Sequence, residues 1–441
     1  MTSDEKMTTT NTSAEIKCII VQQTFTGKRE LKITTMPKPP PPEDGEVLIA
    51  VKACGINFND VLVRYGLMED GLRPPFVPGF ECSGEILEIG PNVTNFERGD
   101  RVLAITRFSA WAEQIVVKKD LVFKIPKEMS FREAAVLPIS YLTAYILLFE
   151  IGNIKSGQTL LFHSAGGGVG VALTQLSKLV PNLTLIATTS SHKFDVLRAH
   201  IHYLFEHGID YTEDVKKIAP EGVDLVLDSH IHYLFEHGID YTEDVKKIAP
   251  EGVDLVLDCM AGDDCERGLA LLKFNGKYVM YGTSSLLSWD VKNLFGITKG
   301  MTNWWQNDKI SCLRLFQDSK SIHGFNLIQL LTRGSNDTRR YLADIMHKVF
   351  LLYKEGKIKP VIDSVFTFDE VNNALGKLVE RKNIGKVVIE PYPNMKSEKI
   401  KKIKSNATPG HQDSSSTSGP DDDDDDKESE ESRQKLSSSN Q

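Results

Sequence analysis

The sequence has no CxxC pair, no apolar run near its start and no excess of positive charge, and each absence removes a class of protein. Its six cysteines (Cys18, Cys54, Cys82, Cys259, Cys265 and Cys312) are scattered. Scattered thiols argue for a reduced, cytosolic protein rather than a disulfide frame. The opening MTSDEKMTTTNTSAE is polar and offers no core for a signal peptide. A net charge of −8 argues against nucleic acid as a partner, because a phosphate binder needs a basic face. Part of that charge sits in the run DDDDDDKESEES, so the rest of the chain is closer to neutral. Long apolar stretches are scarce. The exception is AAVLPISYLTAYILLF (Ala134 to Phe149), which carries Pro138, Ser140, Tyr141 and Thr143. A buried helix between domains is expected there rather than a membrane span.

The 441 residues allow two ordinary domains plus tails. IKCIIVQQT and the run from Glu46 through VLIAVKACG read as strands, split by PKPPPP (Pro37 to Pro42). SGEILEIGPNVTNFERGDRVLAI alternates and turns like strands of a small barrel, so the chain up to about residue 130 reads as all-β. Then the pattern changes. TLLFHS, LTLIATTS, HYLFE, VDLVLD and GKYVMYG read as strands. Between them GGGVGVALTQLSKLV, KFDVLRAH, TEDVKKIA and DCERGLALLKF read as helices. Such alternation predicts a parallel sheet covered by helices on both faces. EVNNALGKLVERKN places Val371, Ala374, Leu375, Leu378 and Val379 on one helical face, and the strand GKVVIE follows. Beyond Pro393 the lysine cluster (Lys396, Lys399, Lys401, Lys402, Lys404) and the acidic run have nothing to bury. They are expected to form a disordered tail. The lysines could also touch an anionic membrane surface.

The strongest local signal is HSAGGGVG, His163 to Gly170, between a strand and a helix. It fits GxGxxG with Ala165 at the first glycine position, followed by Gly167, Gly168, Val169 and Gly170. Glycines let the backbone turn tightly toward a pyrophosphate, and the helix N-terminus offers free N–H groups. The next strand ends ATTSSHK, without the acidic residue that usually holds an NAD ribose. Ser190 and Lys193 there suit a 2′-phosphate, which favours NADPH. Ser191 can equally cap the next helix.

GINFNDVLVRYGL, VPGFECSGEILEIG, GDRVLAI, LPISYLTAYILL, HSAGGGVG and IGKVVIEP together resemble the quinone oxidoreductase branch of the medium-chain dehydrogenase/reductase superfamily. Within it, the chain is similar to the vesicle amine transport protein homologue-like group, the synaptic vesicle membrane protein homologues. The resemblance runs from about Ile16 to Pro391 and implies an α/β fold. A GroES-like β-barrel catalytic domain (residues 16–139, rejoined by 357–393) would face a Rossmann doubly wound parallel sheet (140–356). Residues 1–15 and 394–441 would be disordered. The resemblance also implies a homodimer and a cytoplasmic protein, peripheral on vesicle or mitochondrial outer membranes.

Zinc-dependent relatives carry a cysteine in the first loop and a His-Glu pair in the second. Here these read CGINFND and GFE, with Phe80 at the histidine position. A catalytic zinc needs three protein ligands, so none is expected. What remains is hydride transfer from NADPH to a small carbonyl or quinone substrate. By resemblance Asn57 and Asp60 line the cleft, Thr143 sits near the nicotinamide, and Ser190 and Lys193 meet the 2′-phosphate. Gly282, Thr283 and Ser284 lie in GTSS beyond a sheet strand, where ligands bind in such folds. Several quinone reductases carry a tyrosine where this chain has Leu62; Tyr65 is near but out of register. A quinone can take its proton from water.

One departure is unusual. HIHYLFEHGIDYTEDVKKIAPEGVDLVLD occurs at His200–Asp228 and again at His230–Asp258, a tandem duplication of 29 residues at a period of 30, with Ser229 between the copies. The family has room for one copy. Only three residues separate VDLVLD from the second HYLFE, and parallel neighbours need a crossover of about a dozen. The second copy is therefore expected not to extend the sheet, and one unit's length to be extruded. By resemblance a tyrosine after the third strand belongs near the 2′-phosphate, and it is then Tyr211 or Tyr241. Perfect identity marks either a very recent duplication or an artefact of gene assembly.

Overall fold

The computed structural model describes residues 15–24, 29–68, 72–206, 233–235, 241–261, 263–284 and 312–392. Seven strands come first. They are β1 (Glu15–Gln23), β2 (Arg29–Pro37), β3 (Glu46–Ile56), β4 (Glu81–Ile89), β5 (Arg101–Ile105), β6 (Gln114–Lys118) and β7 (Val122–Lys124). The Rossmann part contributes β8 (Thr159–Phe162), β9 (Thr184–Thr189), β10 (Tyr203–Glu206), β11 (Tyr233–Phe235), β12 (Val253–Asp258), β13 (Leu272–Met280) and β14 (Ser321–Gly324). The last strands among the described residues are β15 (Ile362–Thr367) and β16 (Lys386–Glu390).

Two large sheets result. In the first the order is β15-β16-β3-β4-β5-β7, with β6 also on β3. Its interior alternates: Val47, Ile49, Val51, Ile86 and Val102 are buried, and β16 adds Val387 and Ile389 from the far end of the chain. The second is wholly parallel in the order β11-β10-β9-β8-β12-β13-β14. Its central strands β8, β9 and β12 are short, mostly buried apolar runs, as strands covered on both faces must be, while β14 at the edge is largely exposed. The expected α/β class, with a GroES-like unit and a doubly wound parallel sheet, is the architecture found.

The long apolar stretch forms one helix, Phe131–Ile151, between the two sheets. By length and composition it could cross a membrane, but 72% of its apolar window is buried inside the fold. Ser130 caps it, with Glu133 returning the bond. Pro138 removes an N–H from the ladder, and the turn that follows is a π-type turn. The Ile139 N–H freed there donates to Glu81 Oε2 at 3.0 Å. A polar group stranded in an apolar helix is thus satisfied from the other sheet.

Three expectations need correction. First, the second copy does extend the parallel sheet. β11, from copy two, pairs with β10, from copy one, and like faces like: Tyr203 with Tyr233, Leu204 with Leu234, Phe205 with Phe235. Residues 207–232, between β10 and β11, lie outside the described residues; the expectation rested only on the three-residue link to the second copy, where a parallel return needs about a dozen. Helix Thr242–Ile248 and β12 also come from copy two. Second, the helix beginning at Asp263 ends at Leu271, and the LKF of DCERGLALLKF opens β13. Third, Val379 is exposed, although Val371, Ala374 and Leu375 are buried as expected. Tyr211, Ser285 and both terminal segments lie outside the described residues.

Candidate active site

A cavity of about 520 Å³ opens between the two sheets. It joins residues from many distant parts of the chain. Asn57 and Thr143 line it, together with the glycine-rich turn (Gly167, Gly168, Val169, Gly170). So do Ser190, Lys193, Gly282, Thr283 and Ser284. These are most of the residues that the sequence singled out. Each stands where a strand or turn ends at the carboxyl edge of the parallel sheet or faces that edge, the usual ligand position in such sheets.

The remaining expected residues lie elsewhere. Ala165 is fully buried beneath the turn. Asp60 is buried behind Asn57, whose backbone N–H donates to Asp60 Oδ2 at 2.8 Å. Burial pushes the Asp60 carboxyl up to about 8, opposed by that backbone hydrogen bond and by the Lys386 ammonium. Tyr241 faces the core: its hydroxyl lies 3.3 Å from His163 Nε2 and 3.3 Å from Asp264 Oδ1, and it does not line the cavity.

The glycine-rich turn is tighter than its motif requires. A Cβ on Gly170 would come within 2.6 Å of the Ala165 carbonyl, so the third motif glycine lets the helix Gly168–Ser177 pack onto the turn. Two of the three variable positions, 166 and 168, are glycine for another reason. A Cβ on Gly166 would meet Lys193 Cδ at 2.6 Å, and one on Gly168 would meet Lys386 Cδ at 2.5 Å. Two lysine stems cross the turn. Across the cleft the Gly385 N–H donates to the Gly166 carbonyl at 2.9 Å, so the returning segment docks directly on the turn.

Lys193 is buried, yet its ammonium makes no ion pair among the described residues. Burial, and next the positive charge of Arg381, push it down to about 8, while Asp363 acts the other way. Arg381 lines the same cavity. Two cations at one end of a cleft, beside a glycine-rich turn, form a cradle suited to an anion. The fit to the 2′-phosphate of NADPH is good. The fit to a catalytic zinc is not. Phe80 is packed with Val21, Val63 and Ile328, Cys54 Sγ donates to the Ala110 carbonyl at 3.1 Å, and Glu81 is held by Lys386. Among the described residues no group of three His, Cys, Asp or Glu side chains could hold a metal ion.

Sequence reasoning missed Glu81, Arg381 and Lys386. The Lys386 ammonium lies 2.8 Å from Glu81 Oε1 and 2.7 Å from Asn57 Oδ1. The available signal was a charged residue inside an apolar run, as in GFECSG and GKVVIE. Such residues are almost never buried unless paired.

The fold and the cleft define a two-domain medium-chain dehydrogenase/reductase. The alcohol dehydrogenase GroES-like domain family matches residues 43–127, and the zinc-binding dehydrogenase family matches residues 234–389. A synaptic vesicle membrane protein VAT-1 homolog-like protein of Mus musculus is 38% identical over 383 residues, 86% of this chain and 83% of its own. The crystal structure of the human VAT-1 homolog-like protein is 33% identical, with a TM-score of 0.66, covering 86% of this chain and 100% of that one. A quinone oxidoreductase-like protein 2 homolog of Nematostella vectensis is 31% identical over 78% of this chain and 81% of its own. A mycobacterial protein solved in complex with NADPH shares the fold, at 22% identity and a TM-score of 0.65 over 85% of this chain and 100% of that one. The chain belongs to the VAT-1 homolog-like family of this oxidoreductase superfamily.

Proposed function

We propose that the chain is an NADPH-dependent, zinc-independent oxidoreductase that reduces a quinone or an enone-type carbonyl. The observation that carries this reading is the Lys193–Arg381 end of the cavity, a buried cationic cradle beside the glycine-rich turn. NADPH held there supplies a hydride. The chain's own residues bind and orient. The N-terminus of helix Gly168–Ser177 meets the pyrophosphate, and Lys193, Ser190 and Arg381 meet the 2′-phosphate. Gly282, Thr283 and Ser284 hold the far wall, and Thr143 and Asn57 flank the reacting end. Ile139, Phe325, Leu327 and Ile328 keep that end apolar, which favours a flat conjugated substrate and excludes water. The reaction balances as NADPH, a proton and a quinone giving NADP⁺ and the hydroquinone, the proton coming from water.

The test is oxidation of NADPH and of NADH by the full chain, with a panel of quinones and enones and a metal chelator present. NADPH-preferring, chelator-resistant turnover is expected. Binding of NADPH without turnover of any acceptor would sink the reading. A second reading rests on the relatives named synaptic vesicle membrane proteins. On it, the chain is a catalytically weak cofactor-binding protein that acts at vesicle or mitochondrial membranes. Its lysine cluster from Lys396 to Lys404 lies outside the described residues. Sedimentation with anionic vesicles, with and without residues 394–441, separates the two. A cytoplasmic homodimer is part of the same proposal, and light scattering tests the dimer.

A further inference from the structure

One buried charge pair is unused by the reading above. The side chains of Lys386 and Glu81 are 8% and 0% exposed and meet where the two sheets face each other. The Lys386 ammonium has three acceptors: Glu81 Oε1 at 2.8 Å, Asn57 Oδ1 at 2.7 Å and the Ile56 carbonyl at 2.8 Å. An ammonium carries three hydrogens, so none remains for a substrate. Glu81 is similarly committed. Its Oε1 also accepts from Asn57 Nδ2 at 2.9 Å, and its Oε2 accepts from the Ile139 N–H at 3.0 Å. Lys386 thus reaches from β16, under the glycine-rich turn, to the end of β3. Glu81 reaches from the start of β4 to the helix between the sheets.

The residue held between them is Asn57. A side chain that only donates lies against its amide oxygen, and one that only accepts lies against its amide nitrogen. Reversing the amide would set donor against donor and acceptor against acceptor, so its orientation is fixed by chemistry. Asn57 lines the cavity, and the second hydrogen on Nδ2 has no acceptor among the described residues. A neutral amide with a free N–H, backed by a rigid ion pair, matches what a reducible carbonyl needs: a donor aimed where negative charge develops.

We propose that Lys386 and Glu81 are positioning residues that lock the Asn57 amide, and that its free N–H donates to the carbonyl oxygen of the acceptor. This rests on the reductase reading and deepens it. The ligand class is a planar conjugated carbonyl, with one oxygen at Asn57 and its ring against the apolar wall.

The test uses the full chain loaded with NADP⁺, which has no hydride to give, and tetramethyl-1,4-benzoquinone, whose ring has no hydrogen for thiol addition at Cys259. The readout is the infrared carbonyl stretch of the bound quinone. A Lys386→Met, Glu81→Gln double variant keeps the stem under Gly168 and removes both charges together, because one buried charge left alone endangers the fold. Asn57→Ala removes the donor. Wild type should lower one carbonyl stretch, and both variants should return it to the free value. With NADPH, kcat should fall on the order of 10²-fold in each, the usual effect of losing such a donor. The NADPH Kd should stay within about threefold of wild type. Should the double variant not fold, Lys386→Arg keeps the charge while misplacing the amide, and the same loss of shift is expected.

An unshifted carbonyl in wild type, a quinone that does not bind, or a double variant with the wild-type shift would overturn the assignment. A shifted carbonyl without any turnover by wild type would instead sink the reductase reading and leave this assignment standing.

Discussion

Replacing Lys193 with methionine tests whether the cationic cradle receives a 2′-phosphate. The free ammonium is held at about 8 by burial and by Arg381, against an ordinary 10.5. A bound phosphate of charge near −2 gives it a partner and returns it toward the ordinary value. The gap between 10.5 and about 8 corresponds to about 3 kcal/mol at 1.36 kcal/mol per pH unit. A hydrogen bond to a charged group contributes about 1.5–3 kcal/mol on its own. Both figures give a loss of NADPH affinity of roughly 10- to 150-fold for Lys193→Met. NADH lacks the phosphate, so its affinity should hold or improve slightly as a desolvated charge is removed. The pH dependence has a definite sign. Below about 8 the ammonium is charged in the free and bound states, and NADPH affinity is flat. Above it, binding must first return the proton, and affinity falls by close to tenfold per unit until about 10.5. Fluorescence titration of both nucleotides from about pH 7 to 9.5, with wild type and Lys193→Met, reads all of this. An equal loss for NADPH and NADH, or the same slope in both proteins, would refute the reasoning.

Three more outcomes are expected. Asp60→Asn keeps an oxygen for the Asn57 N–H but removes a carboxyl whose pKa is raised by burial to about 8. Such a raised carboxyl contributes stability that is full below about 4 and lost as pH rises through about 8. Asp60→Asn should therefore flatten the decline between those limits, by at most a few kcal/mol in denaturant melts; an unchanged pH profile would count against it. Gly170→Val should abolish NADPH binding or folding, because backbone atoms, which cannot move aside, surround the missing Cβ; a variant that binds within a factor of about two of wild type shows the turn to be looser than drawn. Deleting residues 229–258 restores a single copy, and NADPH should bind it with the affinity of the full chain, because the glycine-rich turn and both cations are untouched. A full-length chain that fails to bind while the deletion variant succeeds would mean that the duplication breaks the Rossmann part.

What could be read from the sequence was local. HSAGGGVG shows itself as strand, turn and helix within a few residues, and the missing acid after ATTS pointed to Lys193 directly. The cleft floor was hidden because it is assembled from far apart: Lys386 and Asn57 are 329 positions distant in the chain. GKVVIE looks like an ordinary strand that opens with a solvated lysine. Only the pairing of β16 with β3 turns that lysine inward, toward Glu81. The glycines at 166 and 168 carried a hint, since the motif does not require them; the two lysine stems explain them. The second copy was misplaced through counting the wrong connection. The helix from Asp263 was drawn too long because LALLKF suits a helix as well as a strand, and tertiary pairing of β13 with β12 decided it.

The central claim is that the cavity brings an NADPH hydride against a conjugated carbonyl. The most direct test is incubation of the metal-free full-length chain with C4-deuterated NADPH, one face labelled at a time, and an enone acceptor, followed by mass spectrometry of the reduced product. Deuterium on carbon in the product, from one labelled face only and formed on the order of 10²-fold more slowly with Asn57→Ala, is the expected result. NADPH that binds but transfers no deuterium to the carbon of any enone, or equal transfer from both faces, would contradict the account.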